Sequence, residues 1–154
     1  MGTPGVKVGF SEYEQDVELP PKLHTAFRAA AARGNYLSAD RIDVMFAAKE
    51  VCRAMSKPTD TSWKALKRLA RFLNGRPRMV YDYPFQQADK IDVYTDTDWA
   101  GCARTRKSTS GGCIMLGKHT IKHWSSTQPT ISLSSGEAEF YGVVRGSGYG
   151  LVYT

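Results

Sequence analysis

The hydrophobic pattern changes character near residue 88, from mainly helical before it to strand-rich after it. Over Ile91–Gly101, IDVYTDTDWAG, the residues Ile91, Val93 and Thr95 alternate with Asp92, Tyr94 and Asp96. That is the period of two of a pleated strand, and the β-branched and aromatic content agrees with it. Trp99-Ala100-Gly101 breaks the strand. Two more strands are predicted at Gly111–Leu116 and His119–Ser125. Gly117-Lys118 between them suits a two-residue hairpin turn with glycine first. Three consecutive strands joined this way make an antiparallel meander. A short strand is also predicted at Met79–Tyr83.

Upstream, the apolar residues repeat at helical spacing. Lys22–Arg33 presents Leu23, Phe27, Ala30 and Ala31 on one face, and Gly34-Asn35 is its expected stop. A second helix is predicted from about Asp40 to Met55, with Val44, Ala48, Val51, Cys52 and Met55 inward and Pro58 ending it. A third begins at a Thr59 or Asp60 cap and runs to Leu73, ahead of Asn74-Gly75 and Pro77. Its apolar face is Trp63, Leu66, Leu69, Ala70 and Leu73. Residues 1–20, rich in Glu, Gly and Pro, read as a flexible lead-in closed by Pro20-Pro21. The organisation expected is therefore 1–20 lead-in, 21–88 helical segment and 89–154 strand-rich segment.

Near the end, Ser134-Ser135-Gly136-Glu137 is a capping box and predicts a helix starting at Ser135. Phe140, Val143, Val144 and Leu151 form its expected buried stripe. Gly142, Gly146 and Gly148 each cost a helix about 1 kcal/mol relative to Ala. Such a loss calls for something that approaches that face closely, either a neighbouring sheet or a nucleic-acid backbone.

Composition adds bounds. The 154 residues make one domain of ordinary size, or a small domain plus part of another, and 42% hydrophobic content suffices for a packed core. No apolar run reaches the roughly 18 residues of a membrane span, so no membrane partner is expected. Three cysteines, Cys52, Cys102 and Cys113, lack metal spacing and fit reduced thiols of an intracellular protein, cytoplasmic or nuclear. His119 and His123 have no third ligand nearby, so they make a poor zinc site. The net charge of +6 suits a polyanion. On the third helix Lys64, Lys67, Arg68 and Arg71 share the polar side, Arg76 and Arg78 follow, and no acid stands between Trp63 and Tyr81. One-signed charge of this kind fits phosphate contact, although a solvated helix face is the plainer reading.

Candidate chemistry rests on acids. Asp96, at the end of a strand, is either a solvated turn residue or a metal ligand, depending on whether another acid comes beside it. Glu137 has the capping job, and at 100° per residue Glu139 points to nearly the opposite side. Glu139 lies at the edge of the predicted stripe, above Gly142 and Gly146, where a solvated first-turn acid is again the plainer reading.

Taken together, DVYTDTDWAGCARTRKSTSGG and IKHWSSTQPTISLSSGEAEFYGVV resemble the ribonuclease H domain of Copia-type (Pseudoviridae) retrotransposon Pol polyproteins. The likeness covers about residues 91–154. Upstream, ARGNYLSADRIDVMFAAKEVCRAMSKPT and WKALKRLARFLNGRP resemble, more loosely, the segment joining reverse transcriptase to that domain. The resemblance implies an α/β (α+β) fold, a ribonuclease H-like mixed sheet whose first three strands are antiparallel and then lead to a helix. Asp96 would match the first catalytic Asp and Glu139 the catalytic Glu, both holding Mg²⁺ or Mn²⁺. The reaction would be two-metal hydrolysis of the RNA strand of an RNA–DNA hybrid. Arg104, Arg106 and Lys107, with Ser108, Thr109 and Ser110, would be candidates to grip phosphates. The partners implied are the hybrid and the rest of the polyprotein, including reverse transcriptase. The family's third catalytic Asp and a later fourth acid would fall beyond Thr154. The expectation is therefore an incomplete domain and a nuclease poor or inactive by itself, the alternative being a non-catalytic nucleic-acid-binding remnant.

Overall fold

The computed structural model describes residues 16–153. Most of the expected lead-in lies outside the described residues. Within them, Val17–Leu19 run against Pro58–Asp60, with Leu19 N–H donating to Pro58 O (2.9 Å) and Asp60 N–H to Val17 O (2.9 Å). Leu19 is buried in the helical core, so this stretch is tied down.

Helix α1 is Pro21–Leu37. Proline at the first turn suits a position whose N–H has no intrahelical partner. The helix does not stop at Gly34-Asn35, because Gly34 sits buried within it, against Leu69 Cδ2 of a later helix. A 3₁₀ turn, Ile42–Val44, leads into α2, Met45–Cys52. The second predicted helix is thus shorter than the pattern suggested, and Arg53–Lys57 leave it in turns and bends. Helix α3, Asp60–Gly75, opens on a true capping box, with Thr59 Oγ1 accepting from Ser62 N–H and Ser62 Oγ from Thr59 N–H. These helices enclose one core of Leu19, Phe27, Ala31, Val44, Ala48, Val51, Leu66 and Leu69, with Leu23, Met55, Trp63 and Leu73 around it. Ala70, expected inward, is exposed.

Residues 76–90 follow outside any helix or ladder. The strand predicted at Met79–Tyr83 is absent because no neighbouring strand runs beside it. Side chains hold it instead. Strands β1 (Ile91–Asp98), β2 (Thr109–Leu116) and β3 (His119–Thr127) form the expected antiparallel meander in the order β1-β2-β3. Gly117, at φ 56°, turns the hairpin between β2 and β3, the left-handed conformation that glycine adopts without strain. A register shift lies between Ile114 and Met115.

Helix α4, Ser135–Gly150, begins where the cap predicts, with Ser134 Oγ accepting from Glu137 N–H. Its buried stripe differs from the prediction. Ala138, Gly142, Gly146 and Gly150 face the sheet, whereas Phe140 is 65% exposed and Val143, Val144 and Leu151 are exposed too. The close neighbour that the glycines call for is strand β1. A side chain at Gly142 would meet Thr97 Oγ1 at 2.6 Å, one at Gly150 would meet Val93 Cγ2 at 2.9 Å, and one at Gly146 would overlap Thr95 Cγ2. Gly148 has open space around it. The fold is mixed α/β, with four helices and a three-stranded antiparallel sheet among the described residues, and is consistent with part of a ribonuclease H-like domain. No helix among the described residues is long and apolar enough to cross a membrane.

Candidate functional site

The pleat of β1 sorts its side chains. Val93, Thr95 and Thr97 lie under α4. Alternation therefore sends Asp92, Tyr94, Asp96 and Asp98 to the other face. Asp96 pairs with Gly111 of β2 and is exposed. Asp98 closes the strand opposite Thr109. Its carboxylate fills the volume a side chain at Gly101 would need, which explains the glycine that ends the turn. Ala100 takes a positive φ of 51° in this turn, and its N–H donates to Ser108 Oγ (3.1 Å). Trp99 Nε1 donates to Ser132 O (3.1 Å). The Asp98–Gly101 turn is thereby fixed to the segment that precedes α4.

Glu137 and Glu139 divide as the capping logic requires. Glu137 Oε2 accepts from Leu133 N–H at 2.7 Å, one residue earlier than the cap itself. Glu139 is half-buried. It stands on the flank of the glycine stripe, about 60° around the helix from Gly142. The structure thus packs together the two elements that carry Asp96 and Glu139. The two side chains leave them on different sides of the β1 pleat, so the convergence of the two carboxylates on one site, on which the metal-ligand reading of Asp96 depends, is not found in this arrangement. Strand β1 is an edge of the three-stranded sheet, so its margin is open to side chains from both faces.

The loop after β1 is compact. Arg106 N–H donates to Cys102 O (2.7 Å), Cys102 N–H to Lys107 O (3.2 Å), and Arg106 has φ 56°. Arg104 and Arg106 are exposed and Lys107 is half-buried. Ser108, Thr109 and Ser110 are buried, which corrects their expected role in gripping phosphate. Their hydroxyls serve the protein, Ser108 accepting from Ala100, Thr109 Oγ1 from Lys49 Nζ (3.0 Å) and Ser110 Oγ from Gln128 Nε2 (2.9 Å). Gln128 is the residue that pattern reading missed. It is buried, it also donates to Ala138 O (2.8 Å), and it accepts from Ser132 Oγ (2.9 Å). One amide therefore joins β2, the first turn of α4 and the segment between them. A glutamine in a polar loop carries no periodic signal that would have singled it out.

The helical segment docks on the face of the sheet that carries Asp96. Besides the Lys49–Thr109 bond, Arg53 Nη2 donates to Cys102 Sγ at 2.9 Å, and His123 Nε2 lies 3.5 Å from Ser38 O. Glu50 sits between Lys49 (3.0 Å) and Arg53 (3.1 Å). Cys102 opens onto a cleft of about 310 Å³ that Arg53, Lys57, Thr59 and Arg104 also line. Burial pushes the thiol up, but Thr105 and the Arg53 guanidinium outweigh it and bring the group down to about 7. The Thr105 hydroxyl is buried without a nitrogen or oxygen partner and lies beside this sulfur. On α3, Lys64, Lys67, Arg68 and Arg71 are exposed, as a phosphate-contacting face requires, and Lys67 Nζ stands 5.6 Å from the Trp63 ring centre.

Among the described residues no group of three or more His, Cys, Asp or Glu side chains could hold a metal ion. Asp96 and Glu139 offer the hard oxygens that Mg²⁺ and Mn²⁺ take. Two carboxylates are fewer ligands than a pair of ions needs.

No family model matches the chain, and no solved structure matches it. Curated relatives exist in Arabidopsis thaliana. The chain is 36% identical over 116 residues to the uncharacterized mitochondrial protein AtMg00810, covering 74% of this chain and 48% of that protein. It is 34% identical over 123 residues to the retrovirus-related Pol polyprotein from transposon RE2, covering 80% of this chain and 8% of the polyprotein. Identity to the corresponding polyprotein from transposon RE1 is 32% over 123 residues, with the same coverage. The chain thus spans about half of the mitochondrial relative and a small part of each polyprotein.

Proposed function

Because this chain belongs to the Copia-type retrotransposon Pol polyproteins, we propose that its strand-rich half is the opening part of their ribonuclease H region. Its helical half would then be the connection from reverse transcriptase. One observation carries the reading. The capped helix bearing Glu139 is seated by glycines on the edge strand bearing Asp96. Asp96 would reach the open margin of β1 from one face and Glu139 from the other. A Mg²⁺ or Mn²⁺ ion held there would activate water toward a phosphodiester of the RNA strand. The chain's own part is to place two carboxylates, to keep Asp98 engaged in its turn, and to present Arg104 and Arg106 to phosphates.

The acids at hand are too few for two ions, so the chain alone is expected to be inactive as a nuclease. A hydrolysis assay on a labelled RNA–DNA hybrid with Mg²⁺ tests this. Cleavage that Asp96→Asn abolishes, with contaminating nuclease excluded, would overturn the expected inactivity. The metal reading has its own test. Weak Mn²⁺ binding, followed by calorimetry, is expected to weaken further in Asp96→Asn and in Glu139→Gln, and identical binding in all three proteins would refute it.

The exposed cations of α3 and of the loop after β1 favour a second reading, a non-catalytic binding module. That reading predicts hybrid affinity that falls with salt and survives both acid substitutions.

A further inference from the structure

The strap between α3 and β1 is pinned at several points, yet Tyr83 and Phe85 stay largely exposed. Tyr81 Oη donates to Asp40 O (2.9 Å) and accepts from Ile42 N–H (3.3 Å), fixing the strap to the approach to α2. At its other end His119 Nε2 meets Pro84 O (2.9 Å). Gln86 spans the β2–β3 hairpin, donating to Leu116 O (2.7 Å) and accepting from Lys118 N–H (2.9 Å). Between these anchors Tyr83 is 56% exposed and Phe85 94%, and Val80, just before the first of them, is 86% exposed. Tyr81 and Tyr83 stack with centroids 6.2 Å apart, and the edge of His119 meets Tyr83 at 5.0 Å. A backbone held this firmly does not expose large rings for want of order.

We propose that this strap, Tyr83 and Phe85 above all, is a stacking platform for the unpaired bases of single-stranded nucleic acid. Two features support that occupant. The strap continues directly from a stretch holding Lys64, Lys67, Arg68, Arg71, Arg76 and Arg78 with no acid among them. Lys118 lies exposed beside its far end. Asp82 is the one acid among the rings. Aromatic faces combined with flanking cations are how proteins hold single strands without reading sequence. The platform uses neither Asp96 nor Glu139, so it stands or falls separately from the nuclease reading.

Fluorescence anisotropy of the full chain with a labelled mixed-sequence DNA oligonucleotide, and with the same strand as a duplex, tests the proposal. Loss of a stacked ring weakens binding by roughly 5- to 150-fold. Phe85→Ala and Tyr83→Ala are expected to weaken single-strand binding by factors in that range, leave duplex binding unchanged and leave the salt slope intact. Arg76→Ala with Arg78→Ala is expected to reduce that slope by about two. Phe85 is almost wholly exposed, so its variant is expected to fold, and circular dichroism checks that it does. Single-strand affinity unchanged within twofold in both ring variants would overturn the proposal. So would an equal loss on duplex, or a wild-type chain that binds no oligonucleotide and self-associates through Phe85.

Discussion

Replacing Gly146 with alanine tests the seating of α4 on β1, on which the placement of Glu139 depends. Two effects oppose each other. Alanine is favoured over glycine inside a helix by about 1 kcal/mol. At Gly146 the added methyl would overlap Thr95 Cγ2 and lie 3.3 Å from Val93 Cγ1. Both neighbours are β-branched and stiff at χ1, so neither swings aside easily. Forcing an extra carbon into such a contact typically costs 1–3 kcal/mol. The net expectation for Gly146→Ala is a loss of about 0–2 kcal/mol. Gly148 is the internal control, since nothing lies within 4 Å of the position its side chain would take. There the propensity term acts alone, and Gly148→Ala is expected to stabilise by about 1 kcal/mol. The gap between the two variants, about 1–3 kcal/mol, isolates the contact. Urea denaturation followed by tryptophan fluorescence reads it, because Trp124 packs edge-on against Tyr149 of the same helix at 4.9 Å. Comparable m-values would show that the gap reports stability. Equal stabilisation by both alanines would refute the seating, and with it the route by which Glu139 reaches the margin of β1.

Two further outcomes follow from contacts already described. Cys102 is expected to be alkylated by iodoacetamide with a half-maximal rate near pH 7, because its folded value lies at about 7 against an ordinary 9.0. The thiolate contributes stability that is fully present above the ordinary value and is lost as pH falls through about 7. Burial pushes Cys52 and Cys113 upward, so they are expected to stay silent at that pH. Arg53→Ala is expected to move the Cys102 midpoint toward 9, and a wild-type midpoint already there would contradict the Arg53 contact. Gln128→Ala would leave Ala138 O and the Ser132 and Ser110 hydroxyls short of a buried partner. At roughly 1–3 kcal/mol for each stranded group, a loss of about 3 kcal/mol or more is expected in thermal denaturation, and a loss under 1 kcal/mol would mean that water serves the network equally well.

How far the sequence reveals this molecule depends on what kind of signal each part sends. Local signals read correctly. Ser134 marked the start of α4, Thr59 marked α3, and Gly117 marked the hairpin, because caps and left-handed turns involve only neighbours along the chain. The alternation of β1 also read correctly, and it places Asp96 without reference to any other element. The misreadings at α4 and Met79–Tyr83 share a cause, which is that an apolar pattern shows where burial is possible and not what arrives to produce it. In α4 the larger side chains, Phe140, Val143 and Val144, suggested the inward face, but the helix turned its small residues to the sheet. The reason lies in β1, whose upward residues Thr95 and Thr97 are short, so a glycine stripe brings the helix closer than a valine stripe could. The glycines at 142 and 146 were the better signal, since glycines inside a helix need a reason and apolar residues on a helix do not. The same weighting applies to Tyr83 and Phe85, large rings left exposed in a stretch that hydrogen bonds hold in place. A residue that a local rule disfavours, whether a glycine in a helix or a phenylalanine in solvent, is thus a better guide to a missing contact than a residue that fits.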